Sequence, residues 1–264
     1  MDKFDKERCS GVLLETKGLT KHFGGLAAVS QLDMSVNRGE IVGLIGPNGA
    51  GKTTVFNLIT GFLRPTSGRV LFDGLDITGK KPHWIAGTGI GRTFQLAYLF
   101  PDFTVMENVV ASFYLYPRSG FWEALFNTPA YRKKEKDILN QAKEVLRLVG
   151  LDRVEDELAK NLPHGHQKVL NVARALAIKP KLLLLDEPIA GMTRDEIVFS
   201  LGVFDKIRSQ GITILFVEHN MEFMSLCDRV IVLNFGNKIA EGSSEEVRQN
   251  EAVIQAYFGS EHAA

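Results

Sequence analysis

Cysteine is nearly absent from this sequence of 264 residues: only Cys9 and Cys227 occur, far apart and without CxxC spacing. Two lone thiols exclude a disulfide framework and offer no zinc pattern, so a reduced compartment is the expected setting. Net charge is missing as well, because 31 Lys and Arg balance 31 Asp and Glu. No global basic field argues for a nucleic-acid partner, and no acidic excess argues for a cation store. No apolar run approaches the ~18 residues of a membrane-spanning helix, and Met1 to Arg8 alternates charges where a signal peptide would place an apolar core. If the protein works at a membrane, other chains are expected to hold it there. Internal repeats and low-complexity tracts are also lacking. What remains, 45% hydrophobic and 23% charged residues, is the composition of a soluble globular chain able to bury a core.

Along the chain, residues 12 to 18 and 27 to 36 read as strands, with Phe23-Gly24-Gly25 as a turn between them. Ile41 to Ile45 is a short apolar run that enters a glycine loop, and Lys52 to Phe62 carries a helical pattern. Arg69 to Phe72 followed by Asp73-Gly74 predicts another strand and turn. From about residue 98 the spacing becomes helical: Val105, Val109, Val110 and Phe113, then Ile138, Leu139, Ala142, Val145, Leu146 and Val149, stopped by Gly150. Lys181 to Asp186 and Ile212 to Val217 read as buried parallel strands. Between them Thr193 and Glu196 have the spacing of a capping box for a helix that ends at Gly211. Val230 to Ala240 predicts a hairpin through Asn234-Phe235-Gly236-Asn237, and a short helical tail closes the chain. The expected class is α/β with an inserted helical subdomain at roughly 98 to 168.

The chemistry starts at Gly46-Pro47-Asn48-Gly49-Ala50-Gly51-Lys52-Thr53-Thr54, a loop between a strand and a helix. Backbone N–H groups can converge on a polyphosphate only where no Cβ blocks the approach, and the helix N-terminus adds its dipole. In such a GxxxxGK[ST] loop Lys52 reaches the β and γ phosphates and the Thr53 hydroxyl ligates Mg²⁺. A match by chance in a chain of this length is expected roughly once in a hundred sequences. Four leucines, 182 to 185, then lead into Asp186-Glu187-Pro188. An apolar strand that delivers a carboxylate at its C-terminal end can present it to Mg²⁺, and ligands gather at that edge. Asp186 fits this role, while Glu187 could orient or deprotonate an attacking water. The bland alternative is a buried strand capped by a solvated acidic pair. Gln95 alone reads as a surface glutamine and His219 alone as a satisfied core histidine. Their order relative to the loop and the acidic strand sets them apart.

With that order the chain resembles the ATP-binding cassette (ABC) family over nearly its full length. Gly46 to Thr53 corresponds to the Walker A motif, Gln95 to the Q-loop, Leu162 to Gln167 to the signature region, Leu182 to Glu187 to Walker B with its catalytic glutamate, and His219 to the switch histidine. The resemblance implies a P-loop, RecA-like ATPase domain over residues 11 to 264. Its core would span 11 to 97 and 169 to 264, with an antiparallel β subdomain and helices at about 98 to 168. It implies that Glu187, His219 and Gln95 act in catalysis and that Thr53, Gln95 and Asp186 surround Mg²⁺. Phe23 would stack on the adenine of ATP, for which an aromatic face flanked by glycines is the physical warrant; a core phenylalanine is the alternative. Within the family the stretches Phe23 to Val29, Gly46 to Phe62, Gly91 to Gln95, Leu185 to Met192, Glu218 to Met221 and Ala252 to Gly259 resemble the branched-chain amino acid importer branch. Lipopolysaccharide-export cassettes share several of them.

The signature departs from the family pattern, reading Leu162-Pro163-His164-Gly165-His166-Gln167. Pro163 removes a hydroxyl and a backbone donor, while the N–H groups of His164 and Gly165 remain at an expected helix N-terminus, with His166 and Gln167 following. Two histidines at i and i+2 suggest metal binding only weakly, because no third ligand accompanies them. Ala190-Gly191-Met192-Thr193 alters the D-loop position. The resemblance implies a head-to-tail pair with a second cassette, alike or different, around two ATP molecules. It further implies integral membrane permease subunits, an indirect extracytoplasmic binding protein, no nucleic acid, and a peripheral place on the cytoplasmic face of the membrane. Two other classes stay open: a soluble ABC ATPase in a non-transport process, and a regulatory cassette that binds ATP without hydrolysing it.

Overall fold

The computed structural model describes residues 11–93, 99–114, 128–218 and 221–258. The chain forms two compact units, Met1–Arg92 with Lys181–Pro188 and Arg208–Ala264, and Thr93–Pro180 with Ile189–Ile207. The helical stretch expected at about 98 to 168 falls within the second unit, which also takes in the helix that follows it.

In the first unit β1 (Val12–Phe23) and β2 (Leu26–Asn37) pair antiparallel across a turn at Gly24, where φ is 58°. The sequence predicts that the first strand ends near residue 18. It continues to Phe23 because Gly18, at φ 55°, bulges out of register and donates its N–H to Asp33 Oδ1, after which pairing resumes at Leu19. β4 (Ser67–Phe72) and β5 (Leu75–Asp76) complete a sheet of order β2-β1-β4-β5. Thr16, buried between strands, donates its hydroxyl to Leu32 O (2.8 Å) and accepts from Met34 N–H (3.1 Å).

The second sheet runs β10-β9-β3-β8-β7-β6. β3 (Ile41–Ile45), β7 (Leu182–Asp186) and β8 (Thr213–Glu218) are buried along their whole length. That is why they read as unbroken apolar runs rather than alternating ones. β3 pairs in parallel with β8 on one side and β9 (Arg229–Asn234) on the other. β7 lies between β8 and β6 (Ile90–Arg92), and β10 (Asn237–Gly242) closes the edge antiparallel to β9. Phe56, Phe72, Leu44, Leu184, Leu215 and Ile231 belong to one continuous apolar core in this unit.

The helix after the glycine loop, α1, spans Lys52–Ile59, three residues short of the predicted end at Phe62. Gly61 stops it: its φ is 76°, and a Cβ there would stand 2.2 Å from Lys80 O, so the chain is held in a left-handed turn against the segment leading to α2 (Pro82–Gly87). The second unit contains α3 (Val105–Phe113), α4 (Pro129–Val149) and α5 (His164–Leu176). α3 opens on a capping box of Thr104 and Glu107, and α4 ends at Gly150 with φ 73°, as its sequence predicts. Asn108, buried at the start of α3, accepts from Phe100 N–H (2.9 Å) and donates to Phe100 O and Thr104 O (3.0 Å each), which ties the preceding loop to the helix. α6 (Arg194–Ser209) begins in this unit behind the predicted Thr193–Glu196 box. Two short helices, α7 (Ser244–Gln249) and α8 (Glu251–Phe258), form the tail.

Candidate nucleotide site

β3 delivers the chain to Gly46, whose φ of 150° and tight fit against Leu233 O, only 2.1 Å from where a Cβ would lie, leave no room for a side chain. The loop then turns through Pro47 to Gly51. Gly236 N–H donates to Ala50 O (3.0 Å), and Ser30 N–H donates to Gly236 O (2.8 Å), so the turn between β9 and β10 fastens the loop to β2. α1 starts behind Gly51 with no side-chain cap and no acidic residue in its first turn. Its N-terminus therefore points an uncompensated positive dipole end into the cleft. A Cβ on Gly49 would meet no atom within 4 Å, so that flank of the loop faces open space.

This cleft, about 280 Å³, is lined by the loop and first turn from Asn48 to Thr54, by Leu26, Ala27 and Ala28 of β2, and by Glu187 and Phe235. Lys52 is buried and donates through Nζ to Gly46 O (2.6 Å) and Pro47 O (3.0 Å), curled over the loop that it follows. Burial pushes its ammonium below the ordinary lysine value, against the pull of Glu187, Asp186 and Glu218. A helix N-terminus, glycines without obstructing carbons and a poised ammonium form a set of anion donors that fits a polyphosphate. The oxygens of Thr53 and Asp186 are the hard donors that a divalent cation such as Mg²⁺ takes.

Asp186 ends β7 with only 6% of its side chain exposed, and Arg92 Nη2 donates to its Oδ2 at 3.1 Å. Burial raises the Asp186 carboxyl above the usual carboxylate range, with the Arg92 charge and hydrogen bond pulling the other way. One residue on, Glu187 leaves the strand in the left-handed region, φ 47°, pinned by its N–H to Val217 O (2.9 Å). That corner lets Glu187 line the cleft while its neighbour stays buried.

Other sequence-predicted residues fall elsewhere. Phe23 is half exposed with Lys21 Nζ 5.1 Å from its ring centroid, and it is not among the residues that line the cleft. Phe235 lines it instead, from an exposed position at the hairpin tip. No motif marks Phe235 in the sequence. Arg92 was equally silent there, although its place at a strand end just before Thr93-Phe94-Gln95 could have drawn attention to it. Gln95 and His219 lie outside the described residues.

In the second unit the signature residues open α5, as expected of a helix N-terminus. Pro163 is the N-cap residue and supplies no side-chain cap. Gly165 N–H donates to Glu196 Oε1 (2.7 Å), Gln167 Nε2 donates to Leu162 O (3.0 Å), and the His166 ring meets Phe199 edge-on with centroids 5.0 Å apart. His164 is exposed. Glu196 packs so closely that a Cβ on Gly165 would lie 2.8 Å from its side chain, which accounts for the one glycine of the region.

A central parallel sheet with the glycine loop at the C-terminal end of β3 and a carboxylate at the same end of β7 defines a P-loop nucleotide-binding protein. The family model described as ABC transporter matches residues 29–190, and one described as branched-chain amino acid ATP-binding cassette transporter matches residues 237–263. The chain is 41% identical over 249 residues to the high-affinity branched-chain amino acid transport ATP-binding protein BraF of Pseudomonas aeruginosa, covering 94% of this chain and 98% of that one. It is 39% identical to LivG of Escherichia coli K12, named for the same transport, at the same coverage. Among solved structures, the ADP conformation of MJ1267, an ATP-binding cassette of an ABC transporter, superposes with a TM-score of 0.84 at 33% identity, covering 95% of this chain and all of that one. The chain belongs to the ABC transporter family. It is an ATP-binding subunit whose ATPase activity is coupled to transport. Among the described residues no helix is long and apolar enough to cross a membrane.

Proposed function

We propose that this chain is the ATP-hydrolysing subunit of an importer for branched-chain amino acids, or close chemical relatives, seated on the cytoplasmic face of the membrane beneath separate permease subunits. The observation that carries the reading is the cleft itself, in which a glycine cradle, Lys52 and Glu187 converge, in a chain whose relatives are named for that transport. An extracytoplasmic binding protein would select the cargo, which does not touch this chain.

In this reading the loop from Gly46 to Thr54 holds the phosphates through backbone N–H groups, and Lys52 exchanges its bonds to the Gly46 and Pro47 carbonyls for phosphate oxygens. Mg²⁺, when bound, would neutralise phosphate charge, with Thr53, Gln95 and Asp186 as the residues that surround it. Glu187 accepts the proton of the attacking water. Gln95 and His219 sense the γ phosphate, Phe23 stacks on adenine, and His164, Gly165, His166 and Gln167 serve the ATP held by the opposite cassette. The domain assignment, one ABC ATPase over residues 11 to 264, belongs to the same proposal.

Glu187→Gln tests the chemistry. ATP binding should persist while turnover falls by about a hundredfold or more, within the range expected for removing a general base; unchanged turnover removes Glu187 from the role. The transport assignment is tested by purifying the tagged chain from membranes in mild detergent. Integral membrane proteins should accompany it, and recovery of soluble partners alone would overturn the assignment.

A further inference from the structure

We infer that Arg92 is a positioning residue for the cation side of the site: it fixes the rotation of the Asp186 carboxylate and ties it to the far end of the helix that carries Lys52 and Thr53. The inference rests on the reading of Asp186 as a Mg²⁺-facing carboxylate.

One planar group joins three elements, β6, β7 and α1. Arg92 stands at the end of β6, and both its side chain and that of Asp186 are buried, 7% and 6% exposed. Nη2 donates to Asp186 Oδ2 at 3.1 Å. Nη1 turns to α1, donating to Asn57 Oδ1 at 2.7 Å and to Thr60 Oγ1 at 2.9 Å. Thr60 in turn donates its hydroxyl to Phe56 O (2.6 Å), at the end of the helix that starts with Lys52 and Thr53. The rings of Phe56 and Phe62 lie with centroids 5.5 and 5.8 Å from the guanidinium carbon, holding its plane with apolar and cation–π contact.

A guanidinium has donors in a rigid fork, so a bond on one arm sets the direction of the other. The angle of the Asp186 carboxylate therefore depends on Asn57 of the helix behind the phosphate loop and on Thr60 at that helix's C-cap. A lysine could supply the charge but not both directions. A charge acting only as counter-ion would need neither tether. If positioning dominates, loss of Arg92 leaves the phosphate cradle intact and degrades the cation's place in it. If the guanidinium acts only as a competing positive charge, its loss strengthens cation binding.

The test uses the full chain carrying Glu187→Gln, so that nucleotide is bound and not consumed, with a fluorescent N-methylanthraniloyl ATP as probe. Arg92→Lys, Arg92→Gln, Asn57→Ala and Asp186→Asn are compared, first in EDTA and then across a Mg²⁺ titration. All four should bind the probe in EDTA within about twofold of the parent. The Mg²⁺ midpoint should rise roughly tenfold for Arg92→Gln and Asp186→Asn, as is typical when a group that orients a metal ligand is lost. It should rise less for Arg92→Lys and Asn57→Ala. Should Arg92→Gln fail to fold, the lysine and Asn57 variants carry the measurement. Unchanged or lowered midpoints in the Arg92 and Asn57 variants, alongside a raised one in Asp186→Asn, overturn the inference alone. An unchanged midpoint in Asp186→Asn overturns the reading beneath it. Parallel loss of binding in EDTA would reduce Arg92 to a prop of the fold.

Discussion

Two glycines of the phosphate loop make a matched pair of probes. Gly49 and Gly51 both hold positive φ, 79° and 102°, yet a Cβ on Gly49 would meet nothing within 4 Å whereas one on Gly51 would lie 2.3 Å from Ala28 O. Replacing Gly49 by alanine costs the left-handed conformation alone, about 1 kcal/mol. Gly51 sits farther from the left-handed well, so strain there is about 2–3 kcal/mol. The new methyl must also withdraw from Ala28 by about 0.7 Å to reach the 3.0 Å closest approach of real Cβ atoms. That movement strains the Gly236 N–H to Ala50 O bond, for which about 1 kcal/mol is a fair loss. Gly51→Ala should therefore be the weaker protein by roughly 2–3 kcal/mol. For a chain of this size that corresponds to a melting temperature lower by roughly 5–10 °C than that of Gly49→Ala. Melting must be followed without nucleotide, because a bound ligand would add its own stabilisation. Nucleotide binding is then measured separately, and there Gly49→Ala should also be weakened, since the residue lines the cleft. Equal melting temperatures for the two variants would refute the claim that the loop is pressed against β2 at Gly51.

Burial pushes the Cys227 thiol up to about 12. In a Cys9→Ser background a disulfide reagent at pH 8 should thus react over about a thousandfold more slowly than with an ordinary cysteine; a rapid reaction in the folded chain would contradict the packing of this thiol beside Gly43. The Glu196 carboxyl is held below its usual range, first by Thr193 N–H, then by Gly165 N–H and the Thr193 hydroxyl. A lowered folded-state value means stability that is present at neutral pH and lost as pH falls through that value. Denaturant titrations should show Glu196→Gln weaker than the parent above the ordinary glutamate value of about 4.3, with the gap closing below it. A gap that stays constant down to pH 3 would exclude this carboxylate's role in holding the start of α5.

Much of the core was legible because its signals are local. β3, β7 and β8 are short and apolar on both faces, and the glycine stop of α4 and the capping box of α6 lie within a few residues of what they end or cap. The end of α1 was read three residues late, because the apolar pattern runs on to Phe62 past Gly61, whose left-handed turn lies against the carbonyl of Lys80. The same holds at the site. Asp186 and Glu187 stand out as a dipeptide behind leucines, but the left-handed corner that separates them depends on Val217 of the neighbouring strand. Arg92 has no periodicity of its own, and only its partners on α1 and β7 give it meaning. Phe235 read as a turn residue, and it is the fastening of Gly236 to Ala50 and Ser30 that carries it to the cleft.

β3 is an inner strand whose two neighbours, β8 and β9, come from residues beyond 212, and the loop it feeds is fastened by the turn at Gly236. Every atom of the cradle is translated before residue 55, whereas the strands on either side of β3 and the turn that fastens its loop are made only after residue 212. On the ribosome a truncated chain would hold the whole phosphate-binding motif as a loose glycine-rich segment. Competence to take ATP thus waits until the chain has been made through Gly236. A chain broken off before Gly236 would not compete for nucleotide.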